Sequence, residues 1–545
     1  MDQSGAPAER RIRAKEIDIA ALFAALLIIT VGAASWRFLN ADGVSYLDLA
    51  GAARAGDWTS FVQGYWSPLY PLLLAAAGAL TAHDRTGILA VAHEFNVLVA
   101  LAGVALIWKR FGRLESPIPA RLALAAWFLC SARPPRVEAL TPDLLLTLLI
   151  LALALELTGA RRPFRLGVLL GVIFLAKTSS WPWIIIVLGL EAWRVRGVSA
   201  ALLRTALTAF AVTLLWIVPL SIKSGTPTIE TAGALNACWY LRQCDSRSPD
   251  THEGTHRAYR ETSVGETTLR WADVSSTRWT YAPWGDPSAW AAGVGTQSAR
   301  TPSVWTLLSY SARQLGVGLI YWLWPVILGV LLPALLMRSW NGWRLAERDG
   351  PALVVATAGL IGTGQFFLIH AEPRLIGPYV MCLAVGVIAL CVPDSPAAPA
   401  EASGKKSQLR NARRVRDWRF ATALSYAGYL IAVPLAVFSV IAMLPEREDL
   451  ASRAVTLTDA LAPLRQAGIS RPRVVLIGYA FPALADAWRA NVRIVAQVRP
   501  SSAAELAKLP DGEQQRLTAM AFGGAADVVW LVDAEGRFRM RSLVK

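Results

Sequence analysis

The chain has 545 residues, with 54 lysines and arginines against 39 aspartates and glutamates, a formal charge of +15. Hydrophobic residues make up 54% and charged residues 17%, below the roughly 25% charged residues of an average soluble domain. Apolar runs are spread from Ile17 to Met443, many near the roughly 20 residues that span a bilayer; that distribution excludes a soluble enzyme and a disordered chain.

The basic knot Arg10, Arg11, Arg13 and Lys15 marks residues 1–16 as a cytoplasmic N-terminus ahead of a first span, Ile17–Trp36. That first run is full length and lacks a small-residue cleavage site leading into a soluble domain, so it is not read as a cleaved signal. The apolar stretch Leu69–Leu80 is short and opens with Ser67-Pro68-Leu69-Tyr70-Pro71. Prolines suit a helix start better than its interior, and the stretch reads as an interfacial or re-entrant helix. With that one choice, every later basic knot falls inside: Lys109–Arg113, Arg161–Arg165, Arg194–Arg204, Arg338–Arg348 and Lys405–Arg419.

Further spans are then expected at Ile88–Trp108, Ile118–Ser131, Leu140–Leu157, Leu166–Lys177, Trp181–Trp193, Ala200–Ile222, Val317–Met337, Leu353–His370, Leu375–Val392 and Phe420–Leu444. The total is about eleven spans, with the C-terminus outside. A long external loop occupies 223–313 and a basic cytoplasmic loop 393–419. Beyond 445 the apolar runs shorten to Val474–Gly478, Val492–Val498 and Val528–Val532, with helical patterns between them. Strands alternating with helices predict a small extracytoplasmic α/β domain over 445–545. The fold class expected is therefore mainly α: a polytopic membrane helix bundle over 17–444 followed by that domain. Cys130, Cys382 and Cys391 fall in or beside apolar spans as packing residues, whereas Cys238 and Cys244 share one polar loop and are placed to pair if it lies outside.

Two motifs tempt and fail. His252-Glu253-Gly254-Thr255-His256 matches H-E-x-x-H letter for letter, but the zinc chemistry needs both histidines on one helical face. Gly254 and Thr255 weaken a helix there. Gly171–Thr178 approaches a P-loop, yet Ala176 stands in a glycine position within an apolar helix that no strand precedes. What survives is a constellation on one side of the membrane: Asp42-Gly43-Val44-Ser45-Tyr46-Leu47-Asp48, then Tyr65-Trp66, then Arg133 to Asp143 with Glu138, then Lys177, and finally Glu372-Pro373-Arg374. Ionisable groups converging at one membrane face point to function.

These features resemble the GT-C superfamily of integral-membrane glycosyltransferases, in particular protein O-mannosyltransferases and lipid A aminoarabinose transferases. The likeness rests on Asp42-Gly43-x-x-Tyr46 after the first span, the Pro-Leu-Tyr-Pro segment, a helix opening with Thr141-Pro142-Asp143, Lys177 ending a glycine-rich span, and Glu372-Pro373-Arg374. It covers Ile17 to Val392. One departure stands out: the mannosyltransferases pair Asp with Glu in the first loop, whereas Gly43 follows Asp42 here. The partner carboxylate is then Asp48, Glu138 or Asp143.

The resemblance implies a polyprenyl-phosphate-linked sugar as donor and a hydroxyl acceptor (lipid, glycan or protein) on the outer face, with inversion at the anomeric carbon. Asp42 would take or orient the acceptor's proton. Lys177 and Arg374 would stabilise the lipid phosphate, with Arg133 and Arg136 in reserve. Asp143 either positions the acceptor or holds a divalent cation with Asp42; no other cofactor is implied. Tyr46, Tyr65 and Trp66 are placed to stack on sugar faces, with interfacial anchoring as the plainer role. The tryptophan-rich long loop, including Trp279 and Trp284, caps the cavity or selects the acceptor. Membrane lipids are the other expected partners, nucleic acid is not one, and a bacterial inner membrane is the expected location. The rival functions are a transporter or flippase of lipid-linked sugars, which would need access from both faces, and a zinc-dependent protease through His252 and His256.

Overall fold

The structure, a computed structural model, describes residues 21–33, 38–81, 85–111, 118–131, 139–159, 161–236, 259–264, 267–273, 279–287, 304–318, 323–341, 349–369, 372–391, 423, 461–466, 468–478, 481–498, 514, 518, 526–532 and 538–542. The H-E-x-x-H segment, Cys238, Cys244, Arg133, Arg136, Glu138, the basic loop 393–419 and, apart from Ala423, the expected last span lie outside these residues.

Helices dominate. The first is α1, Ala21–Ala33. Then follow α2 (Ala41–Arg54), α3 (Trp58–Phe61), α4 (Leu69–Thr81), α5 (Arg85–Phe111), α6 (Ile118–Ser131), α7 (Asp143–Leu157), α8 (Pro163–Ala176), α9 (Trp181–Arg194), α10 (Ala200–Ser224) and α11 (Ala232–Asn236). After the long loop come α12 (Ala282–Gly285), α13 (Val304–Gly318), α14 (Leu332–Asn341), α15 (Gly350–Ile369) and α16 (Pro373–Cys391). Among the described residues, four stretches are long and apolar enough to cross a membrane: Gly87–Phe111, Ala200–Ser224, Gly350–Phe367 and Arg374–Cys391. On α10, Leu207, Phe210, Leu215 and Ile222 are exposed, a surface that suits lipid and not water. The expected span Val317–Met337 is not one plain α-helix: α13 ends within its start, and a π turn at Ile327–Leu331 leads into α14.

Small residues let the helices approach closely. A Cβ on Gly359 of α15 would lie 2.2 Å from the Leu383 nitrogen of α16, and one on Gly386 would lie 2.3 Å from the Ala356 nitrogen. Lipid offers no hydrophobic drive for helix association, so such backbone-to-backbone packing carries the pair. Between α1 and α5, the short helix expected at Leu69–Leu80 is α4, which packs on α2, α5 and α8, and α2 and α3 precede it.

Six strands form one mixed sheet: β1 (Tyr259–Val264), β2 (Thr267–Asp273), β3 (Arg473–Gly478), β4 (Arg493–Val498), β5 (Val528–Val532) and β6 (Phe538–Ser542), in the order β1-β2-β4-β3-β5-β6. The central β3 runs parallel to β4 and β5, as expected when a helix, here α17 (Phe481–Arg489), connects β3 to β4. The three strands expected from the C-terminal sequence are β3, β4 and β5. The boundary at 445 does not contain the sheet, however. The β1–β2 hairpin comes from the long loop, and Trp271 and Asp273 of β2 pair antiparallel with Val498 and Ala496 of β4.

Candidate active site

Helix α2 begins at Ala41 with Asp42 in its first turn, where a carboxylate meets the positive end of the helix dipole. Asn40 precedes it; instead of capping α2, its side chain accepts a hydrogen bond from the Leu140 backbone N–H at 3.3 Å. This ties the start of α2 to the start of α7. Gly43 lies in that junction: a Cβ there would sit 2.7 Å from Asn40 Oδ1 and 3.0 Å from Leu140 Cβ. A side chain at this position would have to displace Asn40 and Leu39, so an acidic partner at Gly43 would disturb the junction that the Asn40–Leu140 bond makes.

Two ion pairs converge beside it, one half-buried and one with its carboxylate fully buried. Arg374, in the first turn of α16, donates to Asp42 and to Glu372. Lys177, just past the end of α8, donates to Asp143, which also accepts from Thr141 Oγ1 at 2.9 Å. The side chains of Asp143 and Lys177 are 2% and 17% exposed, and those of Asp42 and Arg374 16% and 24%. The charge of Asp143 also reaches Arg374. Asp42, Asp143, Lys177 and Arg374, placed on one side by charge parity alone, therefore form one cluster, and Glu372 joins it.

Tyr46, one helical turn after Asp42, is the hub. Its buried ring packs edge-on against Trp66 and Tyr70, with centroids 5.1 and 5.5 Å away. Burial holds its phenol well above the ordinary range, and the charges of Asp143 and Asp42 push the same way. Tyr46 is thus a neutral hydroxyl and a hydrogen-bond donor, not a base. Half-buried Tyr65 stacks edge-on against Trp66 at 4.7 Å.

Polar side chains hold this geometry, and of them Asn96, His93, Ser180 and Tyr379 were not singled out from the sequence. The Thr178 N–H donates to Ser67 Oγ at 2.9 Å, joining the Pro-Leu-Tyr-Pro segment to the lysine turn. Ser180 and Tyr379 hydroxyls meet at 3.2 Å, joining that turn to α16. Asn96 accepts from Tyr70 at 2.9 Å and donates to Ala139 O at 3.1 Å, while His93 Nε2 lies 2.8 Å from Phe38 O. Their only sequence signal was being polar within an apolar helix, α5. Asp48, one of three candidates for the second carboxylate, is engaged elsewhere: its oxygens accept from the Thr280 N–H at 2.7 Å and the Thr280 hydroxyl at 3.1 Å. Glu138 lies outside the described residues, which leaves Asp143 as the described candidate that meets the cluster.

The two carboxylates put forward for a divalent cation are each balanced by a cation of the chain itself. Among the described residues, no three His, Cys, Asp or Glu side chains gather as a metal site.

The fold is similar to that of ArnT from Cupriavidus metallidurans. The crystal structure of that protein bound to undecaprenyl phosphate matches with a TM-score of 0.52 at 13% identity, over 96% of this chain and 94% of that one. Its apo crystal structure matches with a TM-score of 0.50 at 13% identity, over 94% of this chain and 93% of that one. No protein-family model and no curated protein matches the sequence. The likeness is one of fold, across nearly the whole length of both chains, and it agrees with the GT-C resemblance drawn from the motifs.

Proposed function

We propose that the protein is a membrane glycosyltransferase that moves a sugar from a polyprenyl-phosphate donor to a hydroxyl acceptor on the extracytoplasmic face. The observation that carries this reading is the paired cluster: two carboxylates and two cations, drawn from α2, α7, the end of α8 and α16, gathered around the neutral Tyr46. The ArnT fold, with undecaprenyl phosphate bound in one of its structures, supports a lipid-phosphate donor.

The chemistry that suits this arrangement is a single displacement. The acceptor oxygen bonds to the anomeric carbon as the bond from that carbon to the phosphate oxygen breaks. The electron pair leaves on the phosphate, and the hydroxyl proton passes to Asp42. The leaving phosphate gains charge, which Arg374 and Lys177 are placed to stabilise. In the structure Arg374 holds Asp42, so a donor phosphate competes with Asp42 for the same guanidinium. Binding of donor frees the carboxylate that the acceptor then needs. Asp143, held by Thr141 and Lys177, orients the acceptor or the cation beside it.

The test is Asp42→Asn, which keeps size and removes basicity. Turnover is expected to fall by about 100-fold or more while expression and membrane insertion stay intact. Retained turnover would remove Asp42 from the mechanism.

A further inference from the structure

The segment Trp279–Gly285 of the long loop touches both the sheet and the site. Thr280, fully buried, gives its N–H and hydroxyl to Asp48, while its carbonyl accepts from the Ile494 N–H of β4 at 3.0 Å. The next residue, Tyr281, donates through its hydroxyl to Gln497 of β4. A few residues on, the Trp284 carbonyl accepts from Ser45 Oγ and from Trp66 Nε1, each at 2.9 Å. Gly285 makes the turn fit, because a Cβ there would lie 2.6 Å from the Trp279 ring.

Ser45 and Asp48 are one helical turn apart on α2, so the segment is fastened twice to the helix that carries Asp42. Its indole then joins the aromatic group beside the charges. The Trp284 ring lies 5.3 Å from Trp66, edge-on, and 5.9 Å from Tyr65, and both Trp284 and Tyr65 keep part of their surface open. Trp66 in turn packs on Tyr46. Arg85 of α5 holds the neighbouring helix α17: it donates to the Trp488 carbonyl and lies over its ring at 4.9 Å.

We propose that Asp48 is a positioning residue: by seating Thr280 it sets Trp284 as the wall against which the transferred sugar lies, and so makes the reaction site depend on docking of the β-sheet. This rests on the glycosyltransferase reading and extends it. Half-buried aromatic rings such as Trp284 and Tyr65 offer apolar surface to the C–H faces of a sugar, and their placement matters more than their charge. The loss of both Thr280 bonds lets the segment drift while leaving the Asp42–Arg374 and Asp143–Lys177 pairs in place.

The experiment uses the full-length protein in detergent, with polyprenyl-phosphate sugars as donor and hydroxyl-bearing lipids and glycans as acceptor, extracted together from the host membrane, and release of polyprenyl phosphate followed by mass spectrometry. Asp48→Ala is expected to raise the apparent KM for donor by about three- to tenfold, the worth of a displaced aromatic contact, with kcat little changed. Thr280→Val, which keeps the backbone N–H bond, is expected to move KM the same way by less. A purely structural role would lower kcat through loss of folded protein and leave KM alone. Amide exchange on the same samples confirms loosening at Thr280 and Ile494. Faster exchange with an unchanged KM in both variants overturns the proposal. A wild-type protein that turns over no donor overturns instead the reading on which it rests.

Discussion

Asp42 and Arg374 stand 332 positions apart in the chain and meet in an ion pair, with Glu372 on the other side of the same guanidinium. An arginine shared between two carboxylates is pre-aimed, and its planar fork presents several donors at fixed angles. A phosphate entering beside it takes over a site already built for oxygen ligands. On the proposed function, Arg374→Ala should therefore weaken binding of a polyprenyl phosphate by about tenfold or more, the value of a charge-assisted hydrogen bond. Binding measured in detergent checks this, and an unchanged affinity would count against a phosphate role.

The Asp143–Lys177 pair differs in being more deeply buried. Removing the cation leaves Asp143 charged in a site with little water, which costs about 3–5 kcal/mol for a buried pair. Lys177→Met should thus destabilise the protein strongly. The double variant Lys177→Met with Asp143→Leu should regain much of that loss, because no unpaired charge remains. Thermal unfolding of the three proteins measures the difference, and equal loss in single and double variants would show that the pair is not coupled.

Gly43 tests the packing of the α2–α7 junction. An added methyl meets Asn40 Oδ1 and Leu39 Cδ1 at under 3 Å, and Leu140 Cβ at 3.0 Å. Gly43→Ala should cost about 1–3 kcal/mol as overpacking and lower turnover by displacing Asp42. Unaltered melting and turnover would mean the junction gives way more freely than its contacts indicate.

Much of this site could be read from the chain because charge parity needs only the sign and spacing of basic knots. Asp42, Asp143, Lys177 and Arg374 sit at helix ends, so fixing which ends share a side was enough to bring them together. The strands β3, β4 and β5 were legible for a similar reason: each is a short run rich in Val, Leu or Ile. The hairpin was not. Its strands carry Arg260, Glu261, Thr262 and Ser263, then Thr267, Thr268 and Arg270, with little apolar signal, and its partner β4 lies far along the chain. Asp48 stayed among three open candidates for the same cause, since its partner Thr280 is 232 positions away. Gly43 looked like a missing acid because sequence shows which residue is present and not the space around it.

Tyr46 should stay protonated across the working range. Its folded value lies well above that of a free phenol, first through burial and then through Asp143 and Asp42, so it stays neutral up to at least about pH 10. Tyr46→Phe should lower turnover by one factor at every pH between about 6 and 10, leaving the shape of the pH–rate profile unchanged. An alkaline limb that vanishes in the Phe variant would show that the phenol does titrate in that range.

The most direct measurement is mass spectrometry of the lipids that co-purify with the wild type and with Asp42→Asn. With the Asp42 carboxylate replaced, phosphate competes only with Glu372 for Arg374 while proton transfer fails, so a polyprenyl-phosphate sugar should accumulate on the variant. Finding that lipid enriched on Asp42→Asn supports a stalled transferase and names the sugar. Finding none on either protein, with a wild type that also leaves added donors intact, would contradict the account.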